Sequence, residues 1–223
     1  MDHDRTSSPS RAAFLTAGAL GLTLAAAACG SESEAAPIAN RRVIDALLDK
    51  PARHKQVIGA TKIDGGAPLR FAGNALNAFE YAFAEGPGTL HVAAVFYGTS
   101  LFFVADDDIW NRYQAFDVLD QSADPLPTML HSPQNPFLHA RPNAANPHVD
   151  FSIETLTKRG VTWMVCNNAL TELTRQIAIA RNMDPAAVYR DFRQHFVDGV
   201  TVVPSGVAVV ILAQEAKFAL IPG

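Results

Sequence analysis

The sequence predicts an α/β domain with a largely parallel β-sheet and helices on both faces, in a Rossmann-like three-layer arrangement. Two observations and one rule of strand connection support this fold class. Short apolar runs of strand type alternate with segments of helical periodicity, and turn residues separate them. Strands that are joined through helices form right-handed crossovers, which place neighbouring strands parallel to one another.

The first half of the domain supplies two strands and two helical segments. A turn signal follows the first apolar run, Pro68 suits the first turn of a helix, and "EGPG" ends that helix. The second run is apolar throughout, which is typical of a strand buried on both faces. We expect a strand at 55–61, a helix at 68–83, a strand at 89–98 and a helical segment at 99–119, broken near 106–108.

Two groups in this half could carry chemistry, but each has a simpler interpretation. His91 lies inside the second strand, where a hydrogen-bonded structural histidine is the expected role. The three carboxylates Asp106, Asp107 and Asp108 could indicate a cation site. Because consecutive helical positions point in different directions, we interpret them as a solvated face or the start of a helix.

The proline-rich segment 121–148 breaks the alternation of strands and helices. A connection of this length without periodicity is usually functional or disordered. Its histidines, His131, His139 and His148, are spaced by eight and nine residues and fit no recognised zinc motif. An irregular flap or an oligomer contact is the alternative to a metal-dependent role, and we predict no metal.

The second half continues the pattern. Ser152 and Gly160 bound a short helix, and Asp184 with Pro185 starts another. The run "VAVVILAQEAKF" is ambiguous, because its β-branched start favours a strand and its end favours a helix. We expect helices at 152–160, 168–183 and 184–196, and strands at 161–166, 200–206 and 218–223.

The N-terminal segment differs from the rest. An apolar run at 12–28 precedes Cys29, so we predict an export signal over 1–29, an acidic flexible spacer over 30–40 and a single domain over 41–223. "SRAAFL" resembles a twin-arginine signal with Ala12 in place of the second arginine. "AAAC" resembles a lipoprotein box, in which Cys29 would be lipidated. Plain cleavage after "AAA" is the third alternative.

Composition excludes several classes of function. The 223-residue chain has a net charge of −4 and no long basic run, which argues against nucleic-acid binding and leaves a lipid anchor as the route to a membrane. The sequence contains no dinucleotide fingerprint, no Walker loop and no G-x-S-x-G nucleophile elbow. We therefore predict no cofactor.

The candidate site lies at the carboxyl ends of the strands, where open α/β sheets bind ligands. Cys166 ends the "VTWMVC" strand just before a helix, whose N-terminus would favour the thiolate. If Cys29 is removed or lipidated, Cys166 has no disulfide partner, so the thiol is either shielded or used. The predicted binding residues follow three strands: Thr99, Ser100, Asn167, Asn168, Ser205 and Gly206.

"GVTWMVCNNAL" (160–170) and "GVTVVPSGVAVVILAQEAKFALI" (199–221) together resemble the DsrE-like sulfur-relay family. "NALNAFEYAF" (74–83) and "VFYGTSLFFVADDDIWNRY" (95–113) resemble its first helix and the region after its second strand. The resemblance spans 55–223 and implies that "VAVVILAQEAKF" is a helix. The segments 121–148 and 174–198 are longer than in a typical member.

The resemblance implies a homo-oligomer, often a trimer or a hexamer, in which Cys166 accepts sulfur and passes it on as a persulfide. It also implies a sulfur donor and an acceptor as partners. We expect an exported sulfur carrier or sulfurtransferase located outside the cytoplasm. The alternative is a non-enzymatic oligomeric binding or assembly module with an inert, buried Cys166.

Overall fold

A five-stranded sheet, parallel throughout, forms the centre of the fold. The computed structural model describes residues 36–120, 125, 127–140 and 150–223. The strand order is β4-β3-β2-β1-β5, so the first four strands lie side by side in chain order and the fifth returns to the far edge. The strands are β1 His54–Ala60, β2 Leu90–Phe96, β3 Thr162–Cys166, β4 Val200–Val203 and β5 Ala219–Pro222. This arrangement confirms the predicted α/β fold class.

Helices cover both faces of the sheet, as predicted. The α-helices are α1 Arg41–Leu48, α2 Ala67–Asn77, α3 Asp107–Arg112, α4 Ala115–Asp120, α5 Ile153–Lys158, α6 Asn167–Arg181, α7 Pro185–Gln194 and α8 Gly206–Glu215. Three 3-10 segments, Asp64–Gly66, Thr99–Val104 and Thr128–Leu130, and one π-helix, Ala78–Ala82, complete the described elements. None of the helices in the described part of the chain is both long and apolar enough to span a membrane.

The strands β1 to β4 send alternate side chains into two separate cores. Ile58, Phe96 and Trp163 face the larger core, which α2 and α5 to α7 cover, and Phe96 stacks on Trp163 at 5.7 Å between ring centroids. Val95 and Met164 face the smaller core under α1 and α8. The two cores explain why β2 and β3 are buried at every position.

The segment after β2 is interrupted where the acidic run begins. The 3-10 segment Thr99–Val104 ends at Ala105, and the side chain of Asp106 caps α3 by accepting a hydrogen bond from the Ile109 backbone N–H at 2.9 Å. The predicted break and the interpretation of the acidic run as a helix start are confirmed. The carboxylates also point to different partners, because Asp107 accepts from the Asn135 backbone N–H at 2.8 Å.

Two helical features were not predicted from the sequence. The helix α1 begins at an Asn40 cap that accepts a hydrogen bond from the Val43 backbone N–H at 3.1 Å, and it buries Ile44 and Leu48 against α8. The second feature is the wider π-turn Ala78–Ala82, where α2 was expected to continue as an α-helix. Residues three and four apart occupy one face in either form, so periodicity alone does not distinguish them.

The ends of the predicted spacer and of the proline-rich segment are partly described. Residues 36–40 are docked, since the Ala39 backbone N–H donates to the Val202 carbonyl of edge strand β4 at 2.8 Å. In the segment 127–140, the buried Asn135 amide donates to the carbonyls of Phe102 and Ala105 at 3.0 and 2.7 Å. The predicted export signal, Cys29 and the remainder of both segments, including His148, lie outside the described residues.

Candidate thiol site

Cys166 lies where β3 ends and α6 begins. Its backbone is still extended, and its Sγ accepts a hydrogen bond from the Ala169 backbone N–H at 3.5 Å, so the cysteine is the N-cap of a 15-residue helix. The thiol is free and 5% exposed. The first turn of a helix has unpaired backbone N–H groups, and the sulfur accepts a hydrogen bond from one of them, the Ala169 N–H.

Tyr97 is the aromatic neighbour of Cys166. Phe96 of β2 pairs with Val165 of β3, so the next residues along these parallel strands, Tyr97 and Cys166, reach the same level of the sheet. A Cβ atom on Gly206 would lie 2.8 Å from Tyr97 Cδ1 and 3.1 Å from Cys166 Cβ. The start of α8 therefore approaches both residues, and only glycine leaves the room for that approach.

The hydroxyl end of Tyr97 also requires a glycine. A Cβ atom on Gly59 of β1 would lie 2.8 Å from the Tyr97 hydroxyl oxygen. Burial raises the pKa of Tyr97, and the negative charge of a Cys166 thiolate raises it further. At neutral pH Tyr97 is therefore a neutral phenol, which does not deprotonate the thiol.

Three of the predicted binding residues begin helices beside the thiol. Ser205 caps α8, its Oγ accepting from the Ala208 backbone N–H at 3.4 Å. Asn167 Oδ1 accepts a 2.5 Å hydrogen bond from the Tyr189 hydroxyl, which directs this amide toward α7. Asn168 is exposed on the first turn of α6.

The hydroxyl groups after β2 bond to the end of β1 instead. Ser100 is fully buried, and its Oγ donates to the Ala60 carbonyl at 2.6 Å. Thr99 Oγ1 donates to the Thr61 carbonyl at 3.3 Å. Both hydroxyls satisfy backbone acceptors at the end of a strand, as buried polar groups usually must.

The described loop histidines lie within contact distance of carboxylates. His139 bonds to Asp107 at 2.8 Å through Nε2 and to Glu154 at 3.0 Å through Nδ1. The hydrogen bond with Asp107 raises the pKa of His139, and the bond with Glu154 raises it further. His131 Nε2 lies 3.3 Å from Asp120.

A different histidine lies close to the other two carboxylates of the acidic run. Among the residues that the structure describes, one group of three has ligand atoms close enough to share a cation: Asp106, Asp108 and His195, all within 4.8 Å of one another. None of the predicted loop histidines belongs to it. Exposed acidic groups often cluster in this way without an ion.

His91 has the structural role that the sequence favours. It is 5% exposed, and its Nε2 lies 3.1 Å from Thr162 Oγ1 at the amino end of the sheet. Burial lowers the pKa of His91, and the nearby charges of Lys50 and Lys55 lower it further, to about 4. The ring is therefore neutral at physiological pH.

Tyr97 is the residue of this site that was not anticipated. The sequence could have indicated Tyr97 through its position. Tyr97 directly follows the apolar run of β2, and Cys166 is the last residue of the apolar run of β3. Placing the two side by side requires the register between β2 and β3. That register comes from the paired strands and not from either run alone.

The comparisons with known proteins assign no family. No family model and no curated protein matches the chain. A solved structure of a protein of unknown function, MTH1491 from Methanobacterium thermoautotrophicum, is similar at 19% identity. That match covers 76% of this chain and 99% of the other, with a TM-score of 0.39. The neighbour has no assigned function and contributes no activity to this chain.

Proposed function

We propose that the protein is a sulfur carrier or sulfurtransferase that uses Cys166 as a persulfide-accepting thiol. The observation that carries this proposal is the position of a free cysteine as the N-cap of α6, at the carboxyl edge of a parallel sheet. Ligands gather at that edge in open α/β folds, and helix N-termini favour thiolates. The resemblance of the surrounding motif to DsrE-like proteins supports the same role.

The reaction needs no cofactor. The Cys166 thiolate attacks the outer sulfur of a donor persulfide, R–S–SH. A new S–S bond forms at Cys166 while the donor S–S bond breaks, and the donor leaves as a thiolate with the bonding electron pair. An acceptor thiolate then attacks the outer sulfur of the Cys166 persulfide and regenerates the Cys166 thiolate. Both steps are exchanges in which no net oxidant or reductant is consumed.

Intact-mass measurement after incubation with a persulfide donor tests this function. We expect one added sulfur atom on the full chain, released by a reducing thiol. Cys166→Ser should abolish the adduct, whereas Cys29→Ser should retain it and serves as the matched control. An unmodified chain after treatment with several donors, or an adduct that survives in Cys166→Ser, would refute the proposal.

A second candidate is an oligomeric binding or assembly module in which Cys166 is inert. The burial of the thiol favours it, and so do Val207 and Ile211, apolar residues on α8 that are 60% and 52% exposed. The rate of labelling by a thiol reagent separates the two. Labelling at the rate of global unfolding supports the inert thiol, and faster labelling of the native protein supports the carrier.

The proposed partners follow from the carrier role. We propose a homo-oligomer, a protein that donates sulfur and a second that accepts it, all outside the cytoplasm. Support comes from the resemblance and from the apolar segment before Cys29. Because Cys166 is only 5% exposed, a donor needs either a small sulfane group or a local opening beside Tyr97.

A further inference from the structure

A cavity at the opposite end of the sheet carries an inference that is independent of Cys166. Its volume is about 610 Å³, within the range of about 300–1,000 Å³ that is typical of small-molecule sites. It lies between α2, the π-helix and the first residues of β1, β2 and β5. The lining residues are Arg53, His54, Lys55, Gln56, Phe71, Asn74, Ala75, Phe79, Leu90, Lys217, Ala219 and Ile221.

The wall of the cavity is largely apolar. Phe71 is 40% exposed although it is a large apolar side chain, and Phe79 lies on the π-helix with its ring stacked on His54 at 4.3 Å. Leu90 and Ile221 continue the apolar surface across the sheet. Single π-turns occur frequently at functional sites because they displace side chains from helical register.

Gln56 is the polar group that points to a ligand. It is 8% exposed, lines the cavity, and belongs to the same face of β1 as the core residue Ile58. Its side-chain amide makes no hydrogen bond to any of the described residues and is not among their fully buried atoms, so it is accessible to a ligand in the cavity. A ligand with a polar group would supply that partner.

Lys217 supplies a positive charge at the same place. It follows α8 in the left-handed conformation, with φ of 67°. The Lys217 N–H donates to the Gln214 carbonyl and the Phe218 N–H to the Ala213 carbonyl, both at 2.9 Å. This is the Schellman arrangement, in which glycine is the usual residue at the position that Lys217 occupies.

The other basic residues around the cavity are already engaged. Arg53 and His54 both contact Glu85, at 3.3 and 2.9 Å. The Lys55 ammonium group donates to the Leu48 carbonyl and lies over the Phe218 ring. Lys217 has no ion pair within the described chain, and it precedes Ala219, which pairs with Gln56 across β5 and β1.

We propose that this cavity binds an amphipathic monocarboxylate. Its apolar part lies against Phe71, Phe79 and Ile221, its carboxylate interacts with the Lys217 ammonium group, and the Gln56 amide donates a hydrogen bond to the headgroup. The unmatched positive charge and the unpaired amide favour an anion over a neutral apolar ligand. An apolar wall with a few placed polar groups is the usual composition of a small-molecule site.

Calorimetric titration of the full chain with decanoate, and with decanol as its uncharged counterpart, tests the proposal. We expect decanoate to bind at one site per chain and more tightly than decanol. Lys217→Gln should weaken the binding of decanoate by about fivefold, which is the upper range for an exposed ion pair, and leave the binding of decanol unchanged. Lys158→Gln on α5 removes a lysine that does not line the cavity and should change neither.

Two further variants test the position of the ligand. Gln56→Leu keeps the side-chain volume and removes the amide, so the affinity for decanoate should fall by about threefold relative to the affinity for decanol. Ala75→Trp fills the cavity from α2 and should abolish binding of both ligands while the circular dichroism spectrum is retained. Absence of decanoate binding, equal affinity in the folded Ala75→Trp variant, or equal weakening in both lysine variants would each overturn the proposal.

Discussion

The two ends of the sheet use their polar groups differently. At the carboxyl end the polar groups are paired within the chain: Ser100 with the end of β1, Asn167 with Tyr189, and Ser205 and Cys166 with the first turns of their helices. At the amino end, Gln56 and Lys217 border an open cavity and have no such partners among the residues that the structure describes. The chemistry proposed for the first end therefore depends on one thiol, whereas the second end has the volume and the unused donors of a binding site.

The largest effect that we expect at the amino end concerns His91. Its folded-state pKa of about 4 lies below the ordinary histidine value of 6.5, so protonation favours the unfolded chain. The stabilisation from the neutral ring is complete above pH 6.5 and is lost as pH falls toward 4. It amounts to up to about 3 kcal/mol, from about 1.4 kcal/mol for each unit of pKa difference.

Urea unfolding across this pH range measures the His91 contribution. The free energy of unfolding of the wild type should fall more steeply with acidification than that of His91→Gln, which has no titrating ring. His139→Gln is a useful control with the opposite sign, because the raised pKa of His139 gives stabilisation that is lost as pH rises. Parallel curves for the wild type and His91→Gln would contradict a neutral buried ring.

The carboxyl end should be sensitive to a single methyl group. Gly206→Ala places a Cβ against Tyr97 and Cys166, so we expect about 2 kcal/mol of destabilisation in denaturant unfolding. The sign is informative, because glycine to alanine in a helix is normally stabilising by up to about 1 kcal/mol. In a Tyr97→Ala background the penalty should shrink. An unchanged penalty there would mean that the ring does not set the close approach.

The smallest expected effect is that of Lys217→Gly, which should change stability and ligand binding at the amino end in opposite directions. Lys217→Gly places the preferred residue in the left-handed position and should raise the free energy of unfolding by about 0.5 to 1 kcal/mol, while weakening decanoate binding. Asn182→Gly, at the left-handed end of α6, is the matched control. Asparagine tolerates this conformation, so its gain should be smaller and decanoate affinity should stay constant.

Sequence patterns predicted where the helices and strands lie, but they predicted the contacts between these elements less well. Cys166 could be placed at a strand end because an apolar run stops there and a helix begins. Helix α8 could not be assigned by periodicity, since Val207 and Ile211 on its outer face are as apolar as Val209 and Val210 beneath it. Its assignment as a helix depended on the resemblance.

The cavity was not predicted for a different reason. The rule that ligands bind at carboxyl ends directs attention away from the start of β1, and Gln56 in "KQVIGA" resembles any polar residue near the start of a strand. Gln56 faces a cavity only because α2, the π-helix and β5 enclose it. The contact with β5 joins residues more than 160 positions apart, Gln56 and Ala219.

Helix α8 connects the two ends of the sheet. It begins at Gly206 beside Cys166 and is followed by Lys217 at the cavity, and its ten residues form a rod of about 15 Å. A rigid rod transmits a displacement along its axis from one end to the other. If a ligand at Lys217 shifts this helix and changes sulfur loading at Cys166, thermodynamic reciprocity requires that loading the thiol change the affinity of the cavity by the same factor.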